Sequence, residues 1–184
     1  MRKSKNSAKI ATRRMVFSAL MVAMSLVIGI VCKAYLTLTP IFRITFENMP
    51  IILLGVMFGP MYSVMAAVGA DVISALSAGY APTPLITVGA ACIGLIAGVL
   101  PRLIRGKGYA SVLAVVSVSH FIGSVLVKTY ALCDLYSLEF FPAFWLRLPL
   151  YIAISCAEAY LIYIIAKNRQ ISSLVGAGVE ENEL

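Results

Sequence analysis

The chain has 184 residues, of which 61% are hydrophobic and only 12% charged, and its formal net charge is +7. A soluble domain is about a quarter charged, so this composition excludes a soluble globular protein and indicates one compact helical membrane bundle. The basic excess is no sign of nucleic-acid binding, because the Lys and Arg residues sit at the ends of apolar runs, where they act as topology signals.

Residues 1–14 carry Arg2, Lys3, Lys5, Lys9, Arg13 and Arg14, which places this end in the cytoplasm by the positive-inside rule. The charge-free run Met15–Cys32 is longer than the apolar core of a signal peptide, and no small-residue cleavage pattern follows it. It reads as a retained first helix over about 8–32. Ala19 and Ala23 stand four apart near its start, a spacing that lets a second helix approach closely. Lys33–Thr45, with Pro40, reads as an external loop.

The next apolar stretch decides the topology. Met49–Ala70 is long enough to span as one helix, yet Gly59-Pro60 lies in its middle. Proline removes a backbone donor and clashes with the preceding turn, and Gly-Pro is a turn signal. Charge parity selects between one crossing and two. The basic cluster Arg102, Arg105 and Lys107 belongs on the same side as the N-terminus, which requires an even number of crossings before it. A cytoplasmic turn at Gly59-Pro60, between helices at about 46–58 and 61–76, gives that parity. The first of these is short for a bilayer that needs about 20 helical residues. Its outer end is therefore expected below the membrane surface, at the floor of a cavity.

Ser77–Leu85 reads as a second external loop. A helix at about 86–100 follows, with Ala90, Gly94 and Gly98 at four-residue spacing as a close-packing face. A fifth helix spans about 109–130, and a third external segment, Ala131–Phe141, holds Asp134 and Glu139. The last helix, about 142–167, ends at Lys167 and Arg169 on the cytoplasmic side. The expected fold is thus an all-α, six-transmembrane-helix bundle forming one domain over residues 1–170, with both termini cytoplasmic. The polar tail 171–184 reads as disordered. The four cysteines, Cys32, Cys92, Cys133 and Cys156, form no CxxC pair and read as packed small hydrophobes.

Between Glu47 and Arg102 the only Asp, Glu, Lys or Arg is Asp71. Helix directions then set the depth of each rare polar residue. Arg43 and Glu47 fall at the external mouth of the second helix, Asp71 in the outer half of the third, and Tyr80 in the external loop. His120 lies near mid-depth on the fifth helix and Lys128 near its outer end; Trp145 and Arg147 lie in the outer third of the sixth. An ionisable group within a bilayer costs a few kcal/mol and faces a cavity or a partner. Each residue also has a plain structural reading. Arg43 and Glu47 form an interfacial ion pair, Lys128 and Arg147 snorkel outward, Trp145 belongs to an interfacial belt, and His120 is a packing histidine. Asp71, isolated in an apolar run, fits a purely structural role least well. Glu158 lies deeper on the sixth helix, apart from the cavity. No catalytic arrangement emerges. A single histidine excludes HExxH and three-histidine metal sites, no GxSxG is present, and Arg105-Gly106-Lys107-Gly108 lacks Walker spacing. The chain reads as neither an enzyme nor an ATPase, with no metal or cofactor.

Several stretches together carry a resemblance: Arg43-Ile44-Thr45-Phe46-Glu47-Asn48-Met49-Pro50-Ile51, Phe58-Gly59-Pro60, Gly69-Ala70-Asp71, Gly79-Tyr80 and Pro84-Leu85-Ile86-Thr87. His120-Phe121-Ile122-Gly123-Ser124 with Lys128-Thr129, and Trp145-Leu146-Arg147-Leu148, extend it. Over residues 10–168 the chain resembles the S components, the substrate-binding subunits of energy-coupling factor (ECF) vitamin transporters, in particular the folate family. The loop Ala78–Pro84 departs from the longer aromatic, Gly-containing loop of some folate members. The resemblance implies high-affinity capture of a vitamin from outside a prokaryotic-type cell membrane, in complex with a T component and two ATPases. It implies that an alanine pair on the first helix, Ala19 and Ala23, docks the T component, and that the subunit topples to carry its cavity inward.

Folate suits the residues. The amidine edge of its pterin fits Asp71 or Glu47, its ring stacks on Tyr80, Phe46 or Trp145, and its glutamate carboxylates fit Arg43, Lys128 and Arg147. His120 completes the expected substrate-binding set. Two other readings stand beside this one. An S component for another vitamin, such as thiamin or riboflavin, is the first; thiamin's positive charge would favour Glu47 and Asp71. An intramembrane enzyme or assembly factor is the second, and the sequence offers it neither a nucleophile–base pair nor a metal set.

Overall fold

In a computed structural model of the chain, residues 2–37, 43–79, 81–104 and 108–167 are described, with side chains from residue 11 onward. Tyr80 and the tail 171–184 lie outside the described residues. Helix α1 (Arg2–Tyr35) extends past the end expected from its apolar run, so Lys33 belongs to the last helical turn and not to a loop. The chain then folds back through an isolated antiparallel bridge between Thr37 and Arg43. Helix α2 (Met49–Phe58) starts later than position 46, because Phe46–Asn48 form a turn in which the Met49 N–H donates to the Phe46 carbonyl at 3.1 Å. Pro50 sits in its first turn, where a missing N–H has no helical partner to lose.

Helix α2 ends at Gly59, whose φ of +92° is a conformation that side chains with a Cβ avoid. Helix α3 (Pro60–Ser77) begins at the next residue, with proline at the helix start. One glycine therefore separates two helices, and both halves of the Gly-Pro pair are explained. Helix α4 (Pro84–Leu103) follows. Helix α5 (Tyr109–Ser119) continues into a π-helical segment, His120–Val127, and then into α6 (Lys128–Tyr136), making one rod of 28 residues. This rod outruns the expected end at Tyr130, so Asp134 is helical and not part of a loop. Helix α7 (Phe140–Lys167) completes the bundle.

Among the described residues five rods are long and apolar enough to cross a membrane: Ala11–Tyr35, Pro60–Ser77, Pro84–Leu103, Tyr109–Tyr136 and Phe140–Lys167. The sixth, α2, has 10 residues, about 15 Å of helix against a hydrocarbon core of about 30 Å. The fold is an all-α membrane bundle, with no strand among the described residues beyond the single bridge. One end of the bundle is basic. Arg14 lies over the Phe58 ring at 5.7 Å, the Arg102 guanidinium packs on Gly59, and Lys167 lies over the Tyr163 ring at 5.7 Å. The Gly59-Pro60 turn thus shares an end with the basic residues of α1, α4 and α7.

Helices α3 and α4 touch through backbone. A Cβ added at Gly94 would lie 2.7 Å from the Ser63 carbonyl oxygen, and one at Gly98 would strike the backbone of Pro60. Around this contact, Ile52, Leu54, Ile93, Val116 and Ile162 are fully buried. Cys32 and Cys133 are buried, whereas Cys156 is exposed on the outer surface of α7 and does not serve as core packing. Overpacking typically costs about 1–3 kcal/mol, and at Gly98 the neighbour that must yield is main chain. Gly98→Val should lower stability by about 3 kcal/mol, read as a lower thermal midpoint of the purified protein in detergent. An unchanged midpoint would contradict the close approach.

Candidate functional site

Helices α1, α2, α3, α4 and α6 converge, away from the basic end, on a cavity of about 30 Å³. Ser25, Glu47, Asn48, Asp71, Ser74 and Lys128 give it a polar lining, set between apolar walls that include Ile51, Ala67 and Ala90. The short helix α2 explains why polar groups reach this depth, since its first turn begins inside the bundle and brings Glu47 and Asn48 with it.

Glu47 is held on three sides. Its Oε1 accepts from Arg43 Nη2 at 3.0 Å, its N–H donates to Thr45 Oγ1 at 3.2 Å, and its carbonyl accepts from the Ser25 hydroxyl at 2.5 Å. Its Oε2 lies 2.9 Å from where a Cβ on Gly29 would stand, so α1 presents a bare backbone to the carboxylate. Glu47 precedes α2 and lies outside the spanning helices. Burial alone pushes its carboxyl up, but Arg43, Lys128, Lys33 and the Thr45 hydroxyl outweigh burial and hold it below its ordinary value. Asp71 Oδ2 accepts from the Thr87 hydroxyl at 2.7 Å, tying α3 to α4. Lys33 Nζ donates to Ser74 Oγ at 2.5 Å across the edge of the cavity. The stem of Lys128 rests on Gly89, where a Cβ would meet its Cγ at 2.7 Å. Two carboxylates and three cations therefore share one site.

A second polar cluster is buried between α7 and the π-helical segment. His120 Nε2 lies 2.6 Å from Glu158 Oε2, and His120 Nδ1 lies 3.2 Å from Ser124 Oγ. Arg147 is 4% exposed; its Nη2 donates to the Tyr151 hydroxyl at 3.1 Å and its guanidinium lies over the Tyr151 ring at 5.3 Å. Arg147 Nε and Nη1, and Glu158 Oε1, have no hydrogen-bond partner among the described residues. Buried donors in this state carry a desolvation penalty of about 1–3 kcal/mol each.

Of the residues singled out in the sequence, Glu47, Asp71 and Lys128 line the cavity, and Arg43 pairs with Glu47 from its edge. His120 and Arg147 belong instead to the second cluster. Phe46 packs against Val125, Tyr151 and Ile154 and does not line the cavity. Trp145 is 66% exposed on the outward side of α7. It stands two positions from inward-facing Arg147, and residues two apart on a helix do not share a face, so Trp145 cannot stack on anything held in the cavity. Among the described residues no aromatic side chain lines the cavity. Ala19 and Ala23 are exposed on the outward face of α1, beside Leu20 and Met24. Sequence reasoning missed Ser25, Lys33, Ser74 and Thr87. The signal for the first two was present: Ser25, Gly29 and Lys33 recur every four residues, a polar and small stripe along one face of an apolar helix.

A family profile described as ECF transporter, substrate-specific component, matches residues 13–179. A search of curated protein sequences returns no significant match. Among solved structures the fold is similar to that of FolT bound with folic acid, with a TM-score of 0.66 and 20% identity over 83% of this chain and 91% of that one. It is also similar to the S-component for biotin from an ECF-type ABC transporter, with a TM-score of 0.62 and 18% identity over 86% of this chain and 93% of that one. At these identities the two structures speak for a shared fold.

The second cluster makes a stability prediction. Removing one partner of a buried hydrogen bond leaves the other unsatisfied and costs about 1–3 kcal/mol, whereas replacing both with apolar residues is often nearly neutral. Glu158→Leu alone should lower the thermal midpoint sharply, and His120→Leu with Glu158→Leu should restore most of the loss. Equal midpoints for the single and double variants would refute the pairing.

Proposed function

The chain belongs to the family of substrate-specific components of ECF transporters, and we propose that the substrate it captures is folate or a close relative. The observation that carries this reading is the charge composition of the cavity: Asp71 and Glu47 face Lys128, with Lys33 and Arg43 at the edge. Folate matches that division. Its pterin presents an N–H edge that a carboxylate accepts, and its glutamate carries two carboxylates that require cations. Glu47 is already engaged by Arg43, so Asp71, which among the described residues is hydrogen-bonded by the Thr87 hydroxyl alone, is the better acceptor for the pterin edge. Arg147 offers two further buried donors that an acidic group would satisfy. Counted with Arg147, four cations stand against two carboxylates, an excess of two charges that the two carboxylates of folate balance and the single carboxylate of biotin does not.

Sites that enclose a ligand of this size hold about 300–1,000 Å³, far above the present cavity of about 30 Å³. Binding therefore separates α1 from α2 and α3, and the polar links that yield are Ser25 to the Glu47 carbonyl and Lys33 to Ser74. In this reading the chain is a substrate-binding subunit and carries no catalytic step. It sits in the cell membrane with its basic end, and so both termini, in the cytoplasm. It works with a T component and two ATPases, and the outward face of α1 at Ala19 and Ala23 receives the T component.

Two experiments test these assignments. Folate binding to the purified chain should be weakened at least tenfold by Asp71→Ala and by Arg147→Ala, since truncating one partner of a buried charged contact costs about 2–5 kcal/mol. Unchanged affinity in both variants would refute the roles. Ala23→Trp should abolish copurification with the T component and leave folate affinity as it was, because Ala23 faces away from the cavity. A fall in affinity without loss of the complex would refute the docking face.

A further inference from the structure

The rod Tyr109–Tyr136 is helical throughout, yet its middle, His120–Val127, is wound as a π-helix. A π turn closes its hydrogen bonds across five residues, as the Lys128 N–H does on the Gly123 carbonyl. It therefore holds one residue more than an α turn. Each residue of an α-helix advances the chain by about 100°, so everything beyond the insertion is rotated by that amount relative to an unbroken α-helix. Lys128 is the first residue beyond it. In an unbroken α-helix its place would fall to Val127, and the cavity would meet an aliphatic side chain where it now meets an ammonium.

A π segment is bonded less favourably than an α-helix, and such segments are rare. Polar side chains hold this one. His120 Nδ1 meets Ser124 Oγ at 3.2 Å, and the Ser124 carbonyl accepts from the Thr129 hydroxyl at 3.3 Å. Glu158 of α7 meets the other ring nitrogen of His120 at 2.6 Å. Gly123 lets the segment close on α4, since a Cβ there would strike Ile93 and lie 2.8 Å from the Gly89 carbonyl oxygen. Gly89 is also where the Lys128 stem rests. His120, Ser124, Thr129 and Glu158 are all buried, and none of them lines the cavity.

Building on the reading that Lys128 receives a substrate carboxylate, we infer that His120 and Glu158 are positioning residues: their buried pair clamps the π-helical segment to α7 and so turns Lys128 into the cavity. They act on the substrate through the direction of Lys128, without touching it.

The test does not depend on which substrate is carried. Lys128→Cys and Asp71→Cys are made separately in a chain whose four native cysteines are replaced by alanine. Each is then combined with His120→Leu and Glu158→Leu together, a double change that leaves neither member of the pair without its partner. The modification rate by a cationic, water-soluble methanethiosulfonate is measured in detergent. The double change should slow modification at position 128 by about tenfold, within the coupling seen between residues of one network, and leave the rate at position 71 unchanged. Deleting Phe121, an outward-facing residue of the π segment that is 44% exposed, converts the segment to α-helix while keeping the direction of residue 128. It should restore the rate in the double variant. An unchanged rate at 128, a parallel loss at 71 and 128, or failure of the deletion to rescue would each overturn the inference. Folate affinity is measured on the chain that keeps Lys128. If folate does not bind but the rate at 128 responds as stated, the substrate reading falls and the positioning role stands.

Discussion

A helix of ten residues cannot cross a hydrocarbon layer, and the site depends on that fact. Helix α2 runs from Met49 to Phe58 and stops because Gly59 adopts a positive φ and Pro60 starts a new helix. Its basic end is anchored under Arg14 and Arg102. Its other end, about 15 Å away, must lie inside the bundle, where the backbone of Glu47 and Asn48 needs partners. Ser25 from α1 and Thr45 provide them. The cavity is the space left above a helix that is too short.

The rare polar residues divide into two groups with different chemistry. Around the cavity, carboxylates and cations are only partly buried, each keeping some freedom to exchange partners. Between α7 and the π-helical segment, His120, Ser124 and Glu158 are sealed and mutually paired. The first group is suited to meeting a charged ligand, and the second to holding geometry. Arg147 stands between these roles: it is buried and bound to Tyr151, with donors to spare. Small residues make both groups possible. Gly94 and Gly98 bring α3 against α4, and Gly123 and Gly89 bring the π segment against α4.

Much of this architecture was legible in the residues. The apolar runs marked the rods, charge parity separated α2 from α3, and four-residue spacing marked the packing face of α4. Composition also made Asp71 stand out. The misses have physical causes. Charge ends an apolar run, so the sequence alone puts Lys33 and Asp134 in loops, yet a helix continues through a charged residue whose side chain finds a partner, as Lys33 finds Ser74. Depth alone puts Trp145 beside Arg147, but a helix turns them to different faces. Depth alone likewise puts His120 with the cavity. The π-helical segment has no local signature in the sequence, and its His120 meets a partner, Glu158, 38 residues away.

A polar cavity in which Asp71 and Glu47 share the lining with Lys128, with Lys33 and Arg43 at its edge, underlies the proposal that the substrate is folate. Mass spectrometry of small molecules released by denaturing the protein, purified without added vitamin, tests this most directly. The account predicts folate or a reduced folate in a near-equimolar amount. Recovery of biotin, thiamin or riboflavin at that level, with no folate, would contradict it.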